Sequence, residues 1–484
     1  MEKKKVLFVA SEAVPFMKTG GLADVAGTLP KYFDSDKYDV RVMIPKYACM
    51  RWELTQQLTY LFNIRVPFCG EDRYVGLFEM ERDGVKFYFV DNEFYFSGFS
   101  AYTDNVKWDI ERFIFFSKAS LSVLPNLGFR PDVIHCHDWQ TGLVPVYLKG
   151  IFQDNEFFRG IRSVMTIHNL KFQGVYDKES IQGISGLPGY FFSDDKLGIY
   201  DDGNMLKGGI TYADKVTTVS NSYAQEIKTP FYGEHLDGLL KAREHDLWGI
   251  VNGIDYEQFN PQTDPHLEVK YNVKNFRKEK KKNKVALQKQ LGLTPDPKVM
   301  MIGIVSRLTD QKGLDLIAYV LDEICQDSIQ LVVLGTGEYR YEEMFRHFAW
   351  KYPDKVSANI YYSDELSHKI YGACDAFLMP SSFEPCGLSQ LMSLRYGTLP
   401  IVRETGGLKD TVEPFNEFEN RGTGFSFANY NAHEMMATVQ YAEQVFYDKK
   451  VAWNRMVDRA MKMDYSWNTS ARHYELLYDE MLGW

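Results

Sequence analysis

Short apolar runs, rich in β-branched residues, alternate with longer helical patterns over nearly all of the 484 residues. This alternation constrains the fold more than any other feature. It predicts repeated strand–helix units and mostly parallel sheets, an α/β class. In the first half the expected strands cover residues 5–10, 40–44, 85–90, 133–137, 163–167, 215–219 and 248–251. In the second half they cover 299–305, 330–334, 356–361, 376–379 and 399–402. Such sheets bind ligands beyond the carboxyl ends of their strands. The polar residues just after each run are therefore the candidates for chemistry.

A chain this long predicts two or more domains. The stretch from Asn252 to about Pro297 reads as the boundary. It holds Pro261 and Pro265, then a basic run from Lys274 to Lys289 that is expected to be a solvated helix. A last helical pattern, from about Ala460, puts Tyr474, Leu477 and Met481 on one face, which either domain can receive. The net charge of −10 argues against a nucleic-acid partner. No apolar run approaches membrane-spanning length, so no membrane partner is expected. The N-terminal run, residues 6–10, stops at Ser11-Glu12 and reads as a buried strand rather than a signal peptide. Six cysteines without a Cys-x-x-Cys pair suggest a reduced, cytoplasmic protein.

One hexapeptide occurs twice. Thr19-Gly20-Gly21-Leu22-Ala23-Asp24 returns as Thr405-Gly406-Gly407-Leu408-Lys409-Asp410, each after a strand and loop and before a helical pattern. Adjacent glycines at a helix start let a ligand approach the backbone, and the free N–H groups there favour an anion. Lys18 is placed to reach a phosphate, though a helix-start turn with a surface lysine fits equally well. There is no Walker motif and no dinucleotide fingerprint, since Gly335-Thr336-Gly337 lacks its third glycine. Arg307 and Lys312 follow the 299–305 run and form a candidate diphosphate clamp.

His135-Cys136-His137-Asp138 is too densely spaced for a usual zinc site. Asp138, at the strand exit, is a candidate for binding sugar hydroxyls or for capping the next helix. His168 ends another strand. In Phe383-Glu384-Pro385-Cys386-Gly387, Glu384 is read at a helix start, as a substrate acceptor or a capping carboxylate. Cys386 at the same place is a candidate for a lowered thiol pKa, but no base accompanies it.

Together these segments resemble glycosyltransferase family 5, the family of bacterial glycogen synthases and plant starch synthases. The segments 18–25, 137–142, 166–170, 204–210, 251–255, 306–313, 384–390 and 405–408 carry the resemblance, in order, along nearly the whole chain. It implies two facing Rossmann-like domains with a deep cleft, at 1–252 and 253–460, and a C-terminal helix, 461–484, crossing back to the first. It implies retaining transfer of glucose from ADP-glucose to an α-1,4-glucan. By the family pattern Lys18, Arg307 and Lys312 hold the diphosphate, while Asp138, His168 and Glu384 surround the donor glucose. Asn252, Cys386 and Gly387 match active-site positions, as do Gly20, Gly21 and Asp24 of the first turn. Thr405, Gly406 and Gly407 of the second turn contact donor phosphate or sugar, and Tyr362 stacks on the base. Same-face attack with the leaving diphosphate taking the acceptor proton is preferred to a double displacement. With three cations available, no metal or other cofactor is called for. Asn221-Ser222 and Lys171-Phe172 depart from the family's usual residues, which touches acceptor binding.

Overall fold

A computed structural model describes residues 3–98 and 100–483. The chain divides into two compact units. One runs up to Ile250 and is rejoined by the stretch from Trp467 onward; the other spans Val251–Ser466.

The first unit is built on a nine-stranded sheet. Lys4–Val9, Tyr38–Pro45 and Val85–Asp91 lie side by side in parallel. The chain then returns to the other flank of Lys4–Val9 with Val133–His137, followed outward by Arg162–Ile167, Lys215–Thr218 and Leu247–Gly249, all parallel. The strand order therefore reverses between Lys4–Val9 and Val133–His137. In an open α/β sheet that reversal opens a crevice for ligands at the strand ends. Residues 6–9 and 133–137 of these strands are buried, as expected of a sheet covered on both faces. A hairpin, Thr59–Phe68 with Glu71–Arg82, extends the edge beyond Val85–Asp91 in antiparallel fashion. The sequence pattern did not announce it, because its side chains are half-solvated and alternate poorly. The helix Trp467–Leu482 belongs to this unit. It buries Tyr474, Leu477 and Tyr478, and stacks Tyr478 on Phe33 with ring centroids 5.8 Å apart.

The second unit carries six parallel strands in the order Val356–Asn359, Ile329–Leu334, Met300–Val305, Ala376–Met379, Leu399–Arg403, Phe425–Phe427. Its order reverses between Met300–Val305 and Ala376–Met379. Both units are thus Rossmann-like.

The basic run forms the helix Phe276–Gln290, but it is not simply solvated. Lys280 and Lys284 are buried. The Lys280 ammonium donates to the carbonyls of Gly372 and Tyr396, each at 3.1 Å, and to the Thr398 hydroxyl at 2.8 Å. Lys284 donates to the Val299 carbonyl at 2.8 Å and pairs with Asp375 at 2.5 Å. Lys280 thus serves carbonyls at the ends of two helices, Asp364–Ala373 and Ser389–Arg395, which a helix leaves unpaired.

Candidate functional site

At the exit of Lys4–Val9, Glu12 is buried, and that burial raises its pKa. Its carboxylate accepts the Thr19 N–H, the Thr19 hydroxyl at 3.0 Å and the Tyr102 hydroxyl at 3.3 Å. Glu12 therefore fixes the turn that carries Lys18 and Gly20. Gly20 is extended, and a Cβ there would meet nothing within 4 Å, so its backbone is open to approach. The helix Gly21–Thr28 begins immediately after. The Lys18 ammonium, on a side chain 45% exposed, pairs with Asp24 at 2.8 Å.

Across the order reversal stands Asp138, with φ 58° and ψ −176°. Almost only glycine adopts that region, at a cost of about 1–3 kcal/mol for other residues. The surroundings hold it there. Its own N–H donates to the Thr166 carbonyl at 2.9 Å. Its carboxylate accepts the N–H groups of His168, at 2.7 Å, and of Asn169. It does not cap the short helix Trp139–Thr141 that follows. Burial pushes its pKa up to about 7, against the lowering effect of those two N–H groups.

Behind it the histidines form a relay. The His137 Nδ1 and His168 Nε2 atoms are 2.9 Å apart, so one ring donates to the other. His135 bridges the Tyr478 hydroxyl at 2.6 Å and the Thr166 hydroxyl at 2.5 Å. Desolvation holds His168 at about 3 and drives His135 and His137 well below the usual imidazole range. His168 is thus a neutral imidazole fixed in orientation. The dense His-Cys-His-Asp run is explained by this packing, with both histidines of the strand pointing to one face.

In the second unit, the Lys312 ammonium donates to Glu384 Oε2 at 2.7 Å, and the Ser381 hydroxyl donates to the same oxygen at 2.9 Å. Two loops at the order reversal are joined by this cluster. Gly313, at φ 69°, lets them touch: a Cβ there would lie 2.0 Å from the Pro380 carbonyl oxygen. The Ser382 N–H donating to the Gln311 carbonyl at 2.9 Å completes the seam. Arg403, buried, donates its Nε to the Ser381 carbonyl at 2.9 Å. Arg307 is exposed on the loop of Lys312. Tyr362 is 81% exposed beyond the edge strand Val356–Asn359, two strands from Met300–Val305, and is not part of the cluster.

The second glycine turn lies against the same loop. Gly407 N–H donates to the Glu384 carbonyl at 3.1 Å. A Cβ on Gly406 would fall 1.9 Å from the Glu384 oxygen, and one on Gly407 2.0 Å from the Cys386 oxygen. Thr405 is fully buried at the start of the helix Gly406–Thr411. Glu384 does not stand at a helix start, because the next helix, Ser389–Arg395, opens five residues later. Nor is the Cys386 thiol acidic. Burial pushes it up to about 12, outweighing the Asn252 N–H that faces the sulfur. Asn252 is itself buried beside it. Sequence reasoning missed the roles of Glu12, His137, Ser381 and Arg403, which act through partners 3 to 90 residues away in the chain. Glu12 had a signal, as a charge just after an apolar run, and His137 stood in the dense His-Cys-His-Asp run; Ser381 and Arg403 had none.

Two Rossmann-like units, each gathering polar and charged groups where its strand order reverses, define an α/β protein built to bind phosphorylated or sugar ligands at its strand ends. Comparison with known proteins narrows the class. Residues 5–242 match the starch synthase catalytic domain, and residues 286–446 match glycosyl transferases group 1. The glycogen synthase of Lachnospira eligens is 66% identical over 99% of this chain and all of its own length. That of Lachnoclostridium phytofermentans is 60% identical with the same coverage. Among solved structures, the catalytic domain of starch synthase IV from Arabidopsis thaliana, bound to ADP and acarbose, superposes with a TM-score of 0.92 at 32% identity, covering both chains fully. The chain belongs to the glycogen synthase and starch synthase family of glycosyltransferases.

Proposed function

We propose that this chain transfers glucose from ADP-glucose to the non-reducing end of an α-1,4-glucan, with retention at the anomeric carbon and release of ADP. The observation that carries the reading is the Lys312–Glu384–Ser381 cluster at the order reversal of the second unit, set in a chain matched along its whole length by glycogen synthases. The positive charge for a leaving diphosphate comes from Lys18, Arg307 and Lys312. In the free protein Lys18 rests on Asp24 and Lys312 on Glu384. Each of these two lysines is held in place by a carboxylate that a diphosphate displaces or shares, a preorganised arrangement for stabilising developing charge. Asp138 and the neutral His168 act on sugar hydroxyls: one as an acceptor, the other as an oriented donor or acceptor. Cys386, packed beside Asn252 and Gly407, is not a nucleophile.

Same-face attack suits these groups better than a double displacement. A nucleophilic carboxylate needs a free lone pair aimed at the anomeric carbon. Lys312 and Ser381 hold Glu384 through Oε2, and two backbone N–H groups hold Asp138, so both carboxylates are built as fixed hydrogen-bond acceptors. All six cysteines are unpaired, in keeping with a reducing cytoplasm.

The test is ADP release from ADP-glucose with glycogen, in wild type and Lys312→Ala, with UDP-glucose alongside. Glycogen-dependent ADP release that the substitution cuts tenfold or more is expected. Binding of glycogen without nucleotide release from either donor would reduce the chain to a glucan-binding relative.

A further inference from the structure

We infer that Tyr478, on the last helix of the chain, is a positioning residue for the proposed transfer: through His135 and His137 it sets the orientation of the His168 ring. The inference rests on the proposed function, in which His168 acts on sugar hydroxyls, and adds what aims that ring.

Rotamer preference does not aim an imidazole. The last torsion of a histidine side chain is broad, so the plane of the ring is left to its contacts. His168 is held at Nε2 by His137 Nδ1, 2.9 Å away. That bond is also the one polar anchor of the His137 ring. The His137 Nε2 atom is sealed from solvent and has no hydrogen-bond partner among the described residues. The neighbouring Thr141 hydroxyl binds the main chain of His137 and Asp138 instead. The plane of His137 is therefore set by what the ring lies against. Phe8 stands 5.0 Å away, tilted by 43°, and His135 stands 4.4 Å away and near parallel, at 22°.

His135 is pinned at both nitrogens. Its Nε2 meets the Thr166 hydroxyl at 2.5 Å, which is itself 2.5 Å from the Thr217 hydroxyl. Its Nδ1 meets the Tyr478 hydroxyl at 2.6 Å. The plane on which His137 stacks is thus fixed from two sides, by the sheet and by the helix Trp467–Leu482. Tyr478 is fully buried. A phenylalanine would make its ring contact with Phe33 equally well, so the hydroxyl is there for His135. The helix behind it is firmly tied. Glu475 accepts the Asp34 N–H at 2.7 Å, Glu480 pairs with Lys215 at 2.9 Å, and Asp479 pairs with Lys4. A ring locked from behind by a rigid element is what precise placement of a reacting group requires. Simple core packing would not produce this arrangement. A buried nitrogen without a partner is costly, and an apolar residue of similar shape at position 137 would avoid that cost. Such a residue would forfeit the bond to His168.

The test is a double-mutant cycle on glycogen-dependent ADP release, with wild type, Tyr478→Phe, His137→Phe and the variant carrying both. Tyr478→Phe should lower kcat by about threefold to tenfold, with KM for ADP-glucose within about twofold. His137→Phe should lower kcat by about tenfold or more. On that background Tyr478→Phe should have no further effect, because the link is already cut. A tyrosine that only stabilises the fold would lower activity by the same factor on both backgrounds. That result, or an unchanged kcat in Tyr478→Phe, overturns the inference. Imidazole nitrogen-15 spectra of the free protein give a second reading that needs neither turnover nor the His137 variant. Tyr478→Phe should move the signals of His168 as well as those of His135, and a change confined to His135 refutes the link. If wild type releases no ADP at all, the proposed function fails instead, and the spectra decide whether Tyr478 aims His168.

Discussion

Lowering the pH from about 7.5 to about 5.5 should loosen the first unit through its histidine relay. His135, His137 and His168 stay neutral in the fold, whereas an unfolded imidazole titrates near 6.5. The unfolded state then binds more protons as pH falls, so stability is lost below the unfolded value. Over that interval each histidine contributes about 1.4 kcal/mol of loss, roughly 4 kcal/mol for three. Asp138 works in the opposite sense. Its folded value near 7 lies above the unfolded 3.8, so it gains a proton in the fold and returns roughly 2 kcal/mol over the same interval. Glu12, also raised, adds to that opposition. The net loss is therefore at most about 2 kcal/mol, or roughly thirtyfold in the opening equilibrium. Hydrogen exchange of the central strand Val133–His137, corrected for the intrinsic pH dependence of exchange, reads it directly. Asp138→Asn should steepen the loss toward about 4 kcal/mol, because only Glu12 then still opposes the histidines. Protection that does not change with pH in the Asn variant would mean the rings protonate inside the fold. An Asn variant no steeper than wild type would mean the carboxyl is ionised throughout. Either result refutes the reasoning.

The two glycine turns should differ in their tolerance of a methyl group. Gly407→Ala places a Cβ 2.0 Å from the Cys386 oxygen and should cost about 3 kcal/mol or more, seen as a fall in the Tm of the second unit. Gly20→Ala meets nothing within 4 Å and should stay within about 0.5 kcal/mol in thermal unfolding. Lys280→Met leaves the Gly372 and Tyr396 carbonyls without their buried donor, and urea unfolding should show a loss of about 2–4 kcal/mol. The lysine is held near 7, below its ordinary 10.5. Wild-type stability should therefore rise with pH between those values, a rise the Met variant lacks.

The strands were legible because burial on both faces imposes an unbroken apolar run, which survives as a local pattern. The 133–137 and 376–379 runs coincide with strands residue for residue. The run read as 356–361 stops at Asn359, where the chain leaves the sheet edge and Tyr361 and Tyr362 turn into solvent. Placement at strand ends also marks Asp138, His168, Lys312 and Glu384 as candidates, since ligand sites in such sheets follow from topology.

What the local pattern does not contain is the identity of partners. Thr19–Asp24 and Thr405–Asp410 are nearly the same words, yet Gly20 faces open space while Gly406 and Gly407 are pressed against the backbone of residues 384–386. Lys280 and Lys284 look like surface charge in a basic run, and only distant carbonyls and Asp375 make their burial affordable. Lys312 meets Glu384 across 72 residues, and His137 meets His168 across 31. Periodicity and turn chemistry act between neighbours in the chain, so the sequence alone determined the elements and their ends. Hydrogen bonds, ion pairs and desolvation act between neighbours in space, so only the tertiary structure decided which charges are paired, which histidines stay neutral and which glycine is free to receive a ligand.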